Sequence, residues 1–331
     1  MPSPRYPSLY QINTRVWLTE LSRTLGRTAT LTTCLMRRWI AWPSWGFDWI
    51  WFLSVWQTGL AGQRVSRANA EWRREFHETL PDLREDGHRR LGFRDHRLHG
   101  ACRSAAGIRR SPACASVSVD VVCACCSISS PTTPGWITPG WRSTRSISSA
   151  APRKIWLGLR RTTPGWSAST AVSLLAHGRD PYFAGWPDTL QLNYANPATQ
   201  EAMIGELVRI AGQCDGVRCD MAMLVLPDVF ERTWGMPVAV LLARGDRTRV
   251  RKQVPSFCFM AEVYWDLEWT LQQQGFDYAY DKRLYDRLRE GHARPVREHF
   301  HAGLDYQNKL ARFLENHDEP RAAAAFPHGR A

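Results

Sequence analysis

The sequence predicts an α/β fold, and its spacing agrees with a (β/α)8 barrel of the TIM type. Three observations predict it. Short apolar runs end in acids at Asp220, Glu262 and Asp318. The acids stand 42 and 56 residues apart, where one βα unit of such a barrel takes roughly 30 residues. A helix-period run at 198–211, with Ala202, Ile204, Leu207, Val208 and Ala211 on one side, precedes the first acid.

The organising stretch is Gly216-Val217-Arg218-Cys219-Asp220. Side chains alternate along a strand, so Arg218 and Asp220 point the same way and Cys219 points into the core on the other face. An arginine beside a carboxylate keeps it ionised and oriented, which suits a nucleophile. A lone pair of this kind is also what a structural surface ion pair looks like. Two further runs favour the functional reading, Phe259-Met260-Ala261-Glu262-Val263-Tyr264-Trp265 and Phe313-Leu314-Glu315-Asn316-His317-Asp318.

Taken in order, G-x-R-x-D, a strand-end glutamate and N-H-D, the set resembles the α-amylase family, glycoside hydrolase family 13. The resemblance places the acids after the fourth, fifth and seventh barrel strands, at the carboxyl face where barrel active sites lie. Gly275-Phe276-Asp277-Tyr278 then marks the sixth. Tyr10-Gln11-Ile12-Asn13, followed by Val16-Trp17-Leu18, resembles the family's first strand. Gly46 and the apolar run behind it to Leu53 resemble its second, ahead of the loop Trp56-Gln57-Thr58-Gly59. Gln191-Leu192-Asn193-Tyr194-Ala195-Asn196-Pro197 resembles the loop before the fourth strand, and Pro197 opens a helix.

Between these landmarks the text loses its pattern. Residues 32–45 read TTCLMRRWIAWPSW, with no acid where an amphipathic helix belongs. Residues 87–173 are rich in Ser, Arg, Cys and Trp and hold no sustained period of 2 or 3.6. Synonymous codons for 31–46, read in another frame, can spell DDVPDAEMDRLAELG, a capped amphipathic helix. Alternative frames across 87–173 permit DIAGSGFAITGYTVH and a stretch containing DFVPNH. The second resembles the family's first signature motif, at the end of the third strand. In the written frame those bases read Ser127-Ile128-Ser129-Ser130-Pro131-Thr132-Thr133. These segments, with 237–249 as a shorter third case, read as frameshifted and irregular. The third barrel strand is then overwritten. The text ends thirteen residues after Asp318, so the eighth strand is expected to be missing. The whole chain, 1–331, is one partial catalytic barrel on this reading.

Composition is reinterpreted accordingly. Net charge is +12, which invites a nucleic-acid partner. Residues 87–175 hold thirteen Lys or Arg against Asp95 and Asp120, so the charge sits in the suspect text and no nucleic-acid partner is expected. Six of the nine cysteines lie there too. Cys123-x-Cys125-Cys126 lacks the second pair that a zinc site needs. The three remaining cysteines suggest a reducing compartment, and a cytoplasmic location is expected. Met1 to Tyr6 hold no apolar leader, and residues 39–56 carry Pro43 and Asp48, so neither a secretory signal nor a membrane span is expected. Nothing in the sequence bears on oligomeric state.

The resemblance implies a retaining mechanism on α-glucans or α-glucosides. Asp220 would be the nucleophile, Glu262 the general acid/base, and Asp318 the stabiliser of the charged transition state. Arg218 and His317 would bind substrate or position the acids. Tyr264, Trp265, Trp234 and Trp269 could offer aromatic faces to sugar rings, with core packing equally good for Trp269; the substrate role is favoured for Tyr264 and Trp265. Glu268 and Glu315 are expected either to be solvated or to stand behind the groups that touch substrate, and His292, His299 and His301 receive no role. The family's calcium often uses the asparagine of the first motif, which is absent, so no metal and no cofactor is expected. The alternative is a relative that is inactive or does not fold.

Overall fold

The computed structural model describes residues 6–29, 47–53, 68–79, 120–126, 165–168, 171–174, 178–182, 185, 191–212, 214–238 and 249–326. The suspect segment 32–45 and positions 239–248 lie outside them.

Seven strands form one sheet in which every pairing is parallel: β1 (Leu9–Asn13), β2 (Trp49–Leu53), β3 (Asp120–Cys126), β6 (Gly216–Cys219), β7 (Cys258–Ala261), β8 (Tyr278–Tyr280) and β9 (Leu310–Ala311), adjacent in that order. Parallel neighbours require crossovers. Helices supply several of them: α1 (Thr14–Leu25), α2 (Ala70–Thr79), α3 (Pro197–Ala211), α4 (Pro227–Trp234), α5 (Glu268–Gln273), α6 (Lys282–Glu290), α7 (Ala293–His299) and α8 (Leu304–Gln307). A last short helix, α9 (Ala322–Ala325), follows. A separate hairpin pairs β4 (Gly165–Ala168) with β5 (Ala171–Leu174).

Ile50, Trp51 and Phe52 on β2 are all buried, as expected of a strand covered on both faces. Phe52 meets Trp17 of α1 with ring centroids 6.0 Å apart, while Trp51 points to the other face. There the Arg218 guanidinium of β6 lies 5.5 Å from the Trp51 ring and 5.3 Å from the Tyr280 ring of β8. In a flat sheet β2 and β8 would stand roughly 19 Å apart, four gaps of about 4.8 Å. One guanidinium touching both means that the sheet is curled, with Arg218 on its concave face. Val217 and Cys219 face the opposite, helix-covered side at 0% exposure.

Gly216 shows how close the wall is. A Cβ there would stand 2.8 Å from the Cys258 carbonyl oxygen and 3.0 Å from the Cys258 Cβ.

Several expectations need correction. The third strand, expected to be overwritten, is present as β3 and pairs with both β2 and β6. Backbone pairing does not depend on the family's side chains, and Val121-Val122-Cys123 is apolar and β-branched enough to join a sheet. β3, β4 and most of β5 lie within 87–173; the rest of that segment lies outside the described residues. Val16, Trp17 and Leu18 sit in α1 rather than a strand. The strand stops because Asn13 caps the helix, its side chain accepting from the Val16 N–H at 3.3 Å. The seventh strand is only Leu310–Ala311, so 313–318 forms a loop beyond it. Phe313 leaves the ladder to pack on Tyr280 and Tyr285, centroids 5.3 and 5.5 Å away.

Candidate active site

Register fixes the first two acids. Cys219 pairs with Ala261, so Asp220 and Glu262 leave neighbouring strands at the same level. The backbone knits them together. The Glu262 N–H donates to the Cys219 carbonyl at 2.9 Å, and the Ala222 N–H to the Glu262 carbonyl at 3.0 Å. Met221 turns the chain in the left-handed region at φ 44°, which costs a non-glycine residue about 1–2 kcal/mol. That turn aims the Met221 N–H at Glu262 Oε2, 2.5 Å away.

The third acid arrives by a loop. Asn316 Oδ1 accepts from the Asp318 and Glu319 N–H groups at 2.8 and 3.0 Å, a local turn that replaces a strand. It brings Asp318 Oδ2 to 3.5 Å from Arg218 Nη2.

Arg218 is the centre. Its side chain is 5% exposed, and its Nη1 donates to Asp220 Oδ1. Nη2 stands 3.1 Å from Glu262 Oε2, at ion-pair distance but outside hydrogen-bond geometry. Nε donates to the Tyr280 hydroxyl at 3.1 Å. One buried cation thus faces all three acids.

The environments separate the acids. Burial pushes the Glu262 carboxyl up to about 8; Arg218 opposes this, and the negative neighbours Asp220 and Asp318 add to it. Burial would raise Asp220 as well, but the Arg218 charge, a hydrogen bond with Glu262, the Arg218 hydrogen bond and His317 together hold it below the usual carboxylate range. At neutral pH Glu262 is an acid with a proton to give, and Asp220 is a carboxylate. Two acids of opposite protonation side by side can act as general acid and nucleophile.

Tyr264 donates its hydroxyl to Glu262 Oε1 at 2.8 Å. Burial, then the Glu262 charge, push the Tyr264 hydroxyl well above its ordinary value, so it remains a donor. Trp265 takes φ 62° and meets the exposed ring of Tyr182 edge-on, centroids 4.8 Å apart. The Tyr182 hydroxyl accepts from Arg232 at 3.1 Å. His317 Nε2 lies 3.1 Å from Asp318 Oδ2, and its Nδ1 lies 2.8 Å from Gln11 Nε2.

All seven residues expected from the sequence therefore gather at one end of the sheet. Three more belong with them: Tyr280 and Trp51, which wall Arg218, and Gln11. Alternation in WIWFL and YAY could have pointed Trp51 and Tyr280 inward; nothing local could have paired Gln11 with His317. Trp234 is core, packed on Phe230 and under Arg179. Trp269 is 45% exposed beside Tyr306. Glu268, expected either in solvent or behind the groups that touch substrate, is buried, and burial raises its carboxyl. Glu315 is partly exposed and accepts from the Ala322 N–H. His299, given no role, is buried against Asp281.

Among the described residues, no group of three or more His, Cys, Asp or Glu side chains is arranged to hold a metal ion. No helix there is long and apolar enough to cross a membrane.

The fold is that of solved carbohydrate-active enzymes. An α-amylase from Lactobacillus plantarum matches over 97% of this chain and 65% of its own, with 16% identity and a TM-score of 0.56. An Anoxybacillus α-amylase matches over 98% and 65%, with 12% identity and a TM-score of 0.58. A cyclic α-maltosyl-(1→6)-maltose hydrolase from Arthrobacter globiformis matches over 98% and 68%, with 12% identity and a TM-score of 0.57. The chain thus spans about two thirds of the length of these structures. No family model and no curated protein matches it.

Proposed function

We propose that the chain is the catalytic-barrel portion of an α-amylase-family enzyme, one that breaks or transfers α-glucosidic bonds with retention of configuration. The observation that carries this reading is the pair Asp220 and Glu262, held by one buried arginine and driven to opposite protonation states. The fold shared with the α-amylases and the maltose hydrolase supports it.

Asp220 attacks the anomeric carbon while Glu262 protonates the leaving oxygen. Glu262, now a carboxylate, then takes a proton from water or from an acceptor sugar, which cleaves the glycosyl ester. Retaining pairs stand about 5–5.5 Å apart and inverting pairs about 6.5–9.5 Å. Asp220 and Glu262 leave neighbouring strands at the same level and face the two terminal nitrogens of one guanidinium, which supports the shorter, retaining spacing. Asp318 stabilises the positive charge that develops at the ring, and His317 stands against its carboxylate beside the cleaved bond. Trp265, with Tyr182 beside it, offers the aromatic face on which a further sugar ring stacks.

The test is turnover of maltooligosaccharides and sucrose, with trapping by a slow fluorosugar. The label is expected on Asp220, and Asp220→Asn is expected to lose turnover by about a thousandfold or more. A variant that keeps its rate, or a label on another carboxylate, overturns the assignment.

A second reading, an inactive relative, is favoured by one observation. Ser127 to Thr133 stand where the family's first motif belongs. The frameshift reading predicts that restoring the frames across 32–45, 87–173 and 237–249 raises turnover. Equal activity of the written and restored chains removes this second reading.

A further inference from the structure

The first strand and the last motif meet at one hydrogen bond. Gln11 Nε2 lies 2.8 Å from His317 Nδ1, 306 positions away in sequence. Gln11 is the register partner of Trp51, so the two side chains stand together on the same face of the sheet. The Trp51 ring meets the His317 ring edge-on with centroids 5.4 Å apart. The imidazole is thus gripped by a polar group from β1 and a ring from β2, and its free nitrogen faces Asp318 at 3.1 Å.

An amide nitrogen only donates, so the His317 nitrogen facing it has to be the acceptor. The ring proton then sits on Nε2, where it points at an Asp318 oxygen. The opposite tautomer would set a donor against a donor at Nδ1 and a lone pair against a carboxylate at Nε2. Imidazolium would keep the clash at Nδ1. We infer that Gln11 is a positioning residue: its amide fixes His317 as the neutral Nε2–H tautomer, and through it orients the Asp318 carboxylate. The His317 side chain is only partly covered, at 26% exposure; that desolvation disfavours the charged ring, Asp318 and Asp220 pull the other way and Arg218 pulls with it. Those three, with the uncharged Gln11 and Trp51, are the groups that face the ring.

Only the catalytic consequence rests on the proposed glycosidase reading; the tautomer does not. The test uses the full 331-residue chain, labelled with 15N, and long-range 1H–15N correlations of the histidine rings at neutral pH. His317 is identified by the signals lost in His317→Asn. The parent is expected to show a protonated Nε2 and a bare Nδ1. Gln11→Glu places an acceptor at Nδ1 and should draw a second proton, raising the His317 midpoint by about one to two units. In Gln11→Leu the Nδ1–H form should appear as a minor fraction, since Asp318 still favours a proton on Nε2. A parent ring protonated on Nδ1, or an unchanged midpoint in Gln11→Glu with intact near-UV circular dichroism, overturns the inference. The glycosidase reading fails separately: the ring signatures appear as expected, and no turnover accompanies them. Where turnover is present, Gln11→Glu should lower kcat about tenfold or more while KM changes little, because Asp318 acts on the transition state.

Discussion

Met221 donates its backbone N–H to the carboxylate of Glu262 at 2.5 Å. The residue that follows one acid therefore holds the other. This bond crosses from β6 to β7 at the level where both strands end, and it exists because Met221 adopts φ 44°. The strain is local and the return is an oriented acid, the exchange expected at a functional site.

Stability should depend on pH through Glu262. Its folded carboxyl is pushed up to about 8, against about 4.3 in the unfolded chain. The stability it contributes is fully present below the unfolded value and is lost as pH rises through the folded one. Glu262→Gln removes that loss. Urea unfolding should therefore show the variant gaining on the parent between pH 5 and pH 8. A constant difference across that range contradicts the environment described for Glu262.

Tyr264→Phe should move the alkaline limb of the activity profile upward. The Tyr264 hydroxyl donates to Glu262 Oε1, which favours the charged form. A hydrogen bond to a charged group is worth about 1.5–3 kcal/mol, so a rise of about one unit is expected. An unmoved limb would mean that the hydroxyl leaves the acid's ionisation untouched.

Asp281 should be a stability hot point remote from the chemistry. Its side chain is 1% exposed; it meets His299 Nε2 at 3.0 Å and Arg312 Nε at 3.1 Å, and caps α6 by accepting from the Leu284 N–H. Asp281→Ala leaves a buried polar cluster without its anion, at a cost of about 3–5 kcal/mol. Chemical denaturation measures it, and a loss below about 1 kcal/mol contradicts the packing described.

Gly216→Ala should destabilise without touching the acids directly. The new methyl meets the Cys258 backbone oxygen at 2.8 Å and the Trp49 ring at 3.4 Å. Neither a backbone oxygen nor a packed indole yields cheaply, so about 1–3 kcal/mol is expected. A melting temperature equal to the parent's would show that β6 and β7 stand further apart.

Much of the site was written into short runs of sequence. Alternation alone sent Arg218 and Asp220 to one face and Cys219 to the other. Apolar runs ending in acids marked Asp220 and Glu262 as the residues that leave their strands at the carboxyl face, because a strand's period is local. Side-chain pattern misled at β3. The text there carries none of the family's motif, yet a parallel ladder needs only backbone donors and acceptors and a run that tolerates burial.

What local pattern cannot carry is which distant groups share a space. Asp220 and Glu262 each look like an ordinary carboxylate in sequence. Their opposite protonation comes from burial around Arg218 and from charges on other strands. The same holds for Tyr264, whose hydroxyl donates to Glu262, and for Glu268, whose burial no local pattern marks. Gln11 and His317 meet only because the sheet curls. The sequence by itself determined most strands of the sheet, their order and which three acids stand beyond them. The curled tertiary structure decided their charges, because desolvation and Coulomb interaction depend on distance in space rather than along the chain.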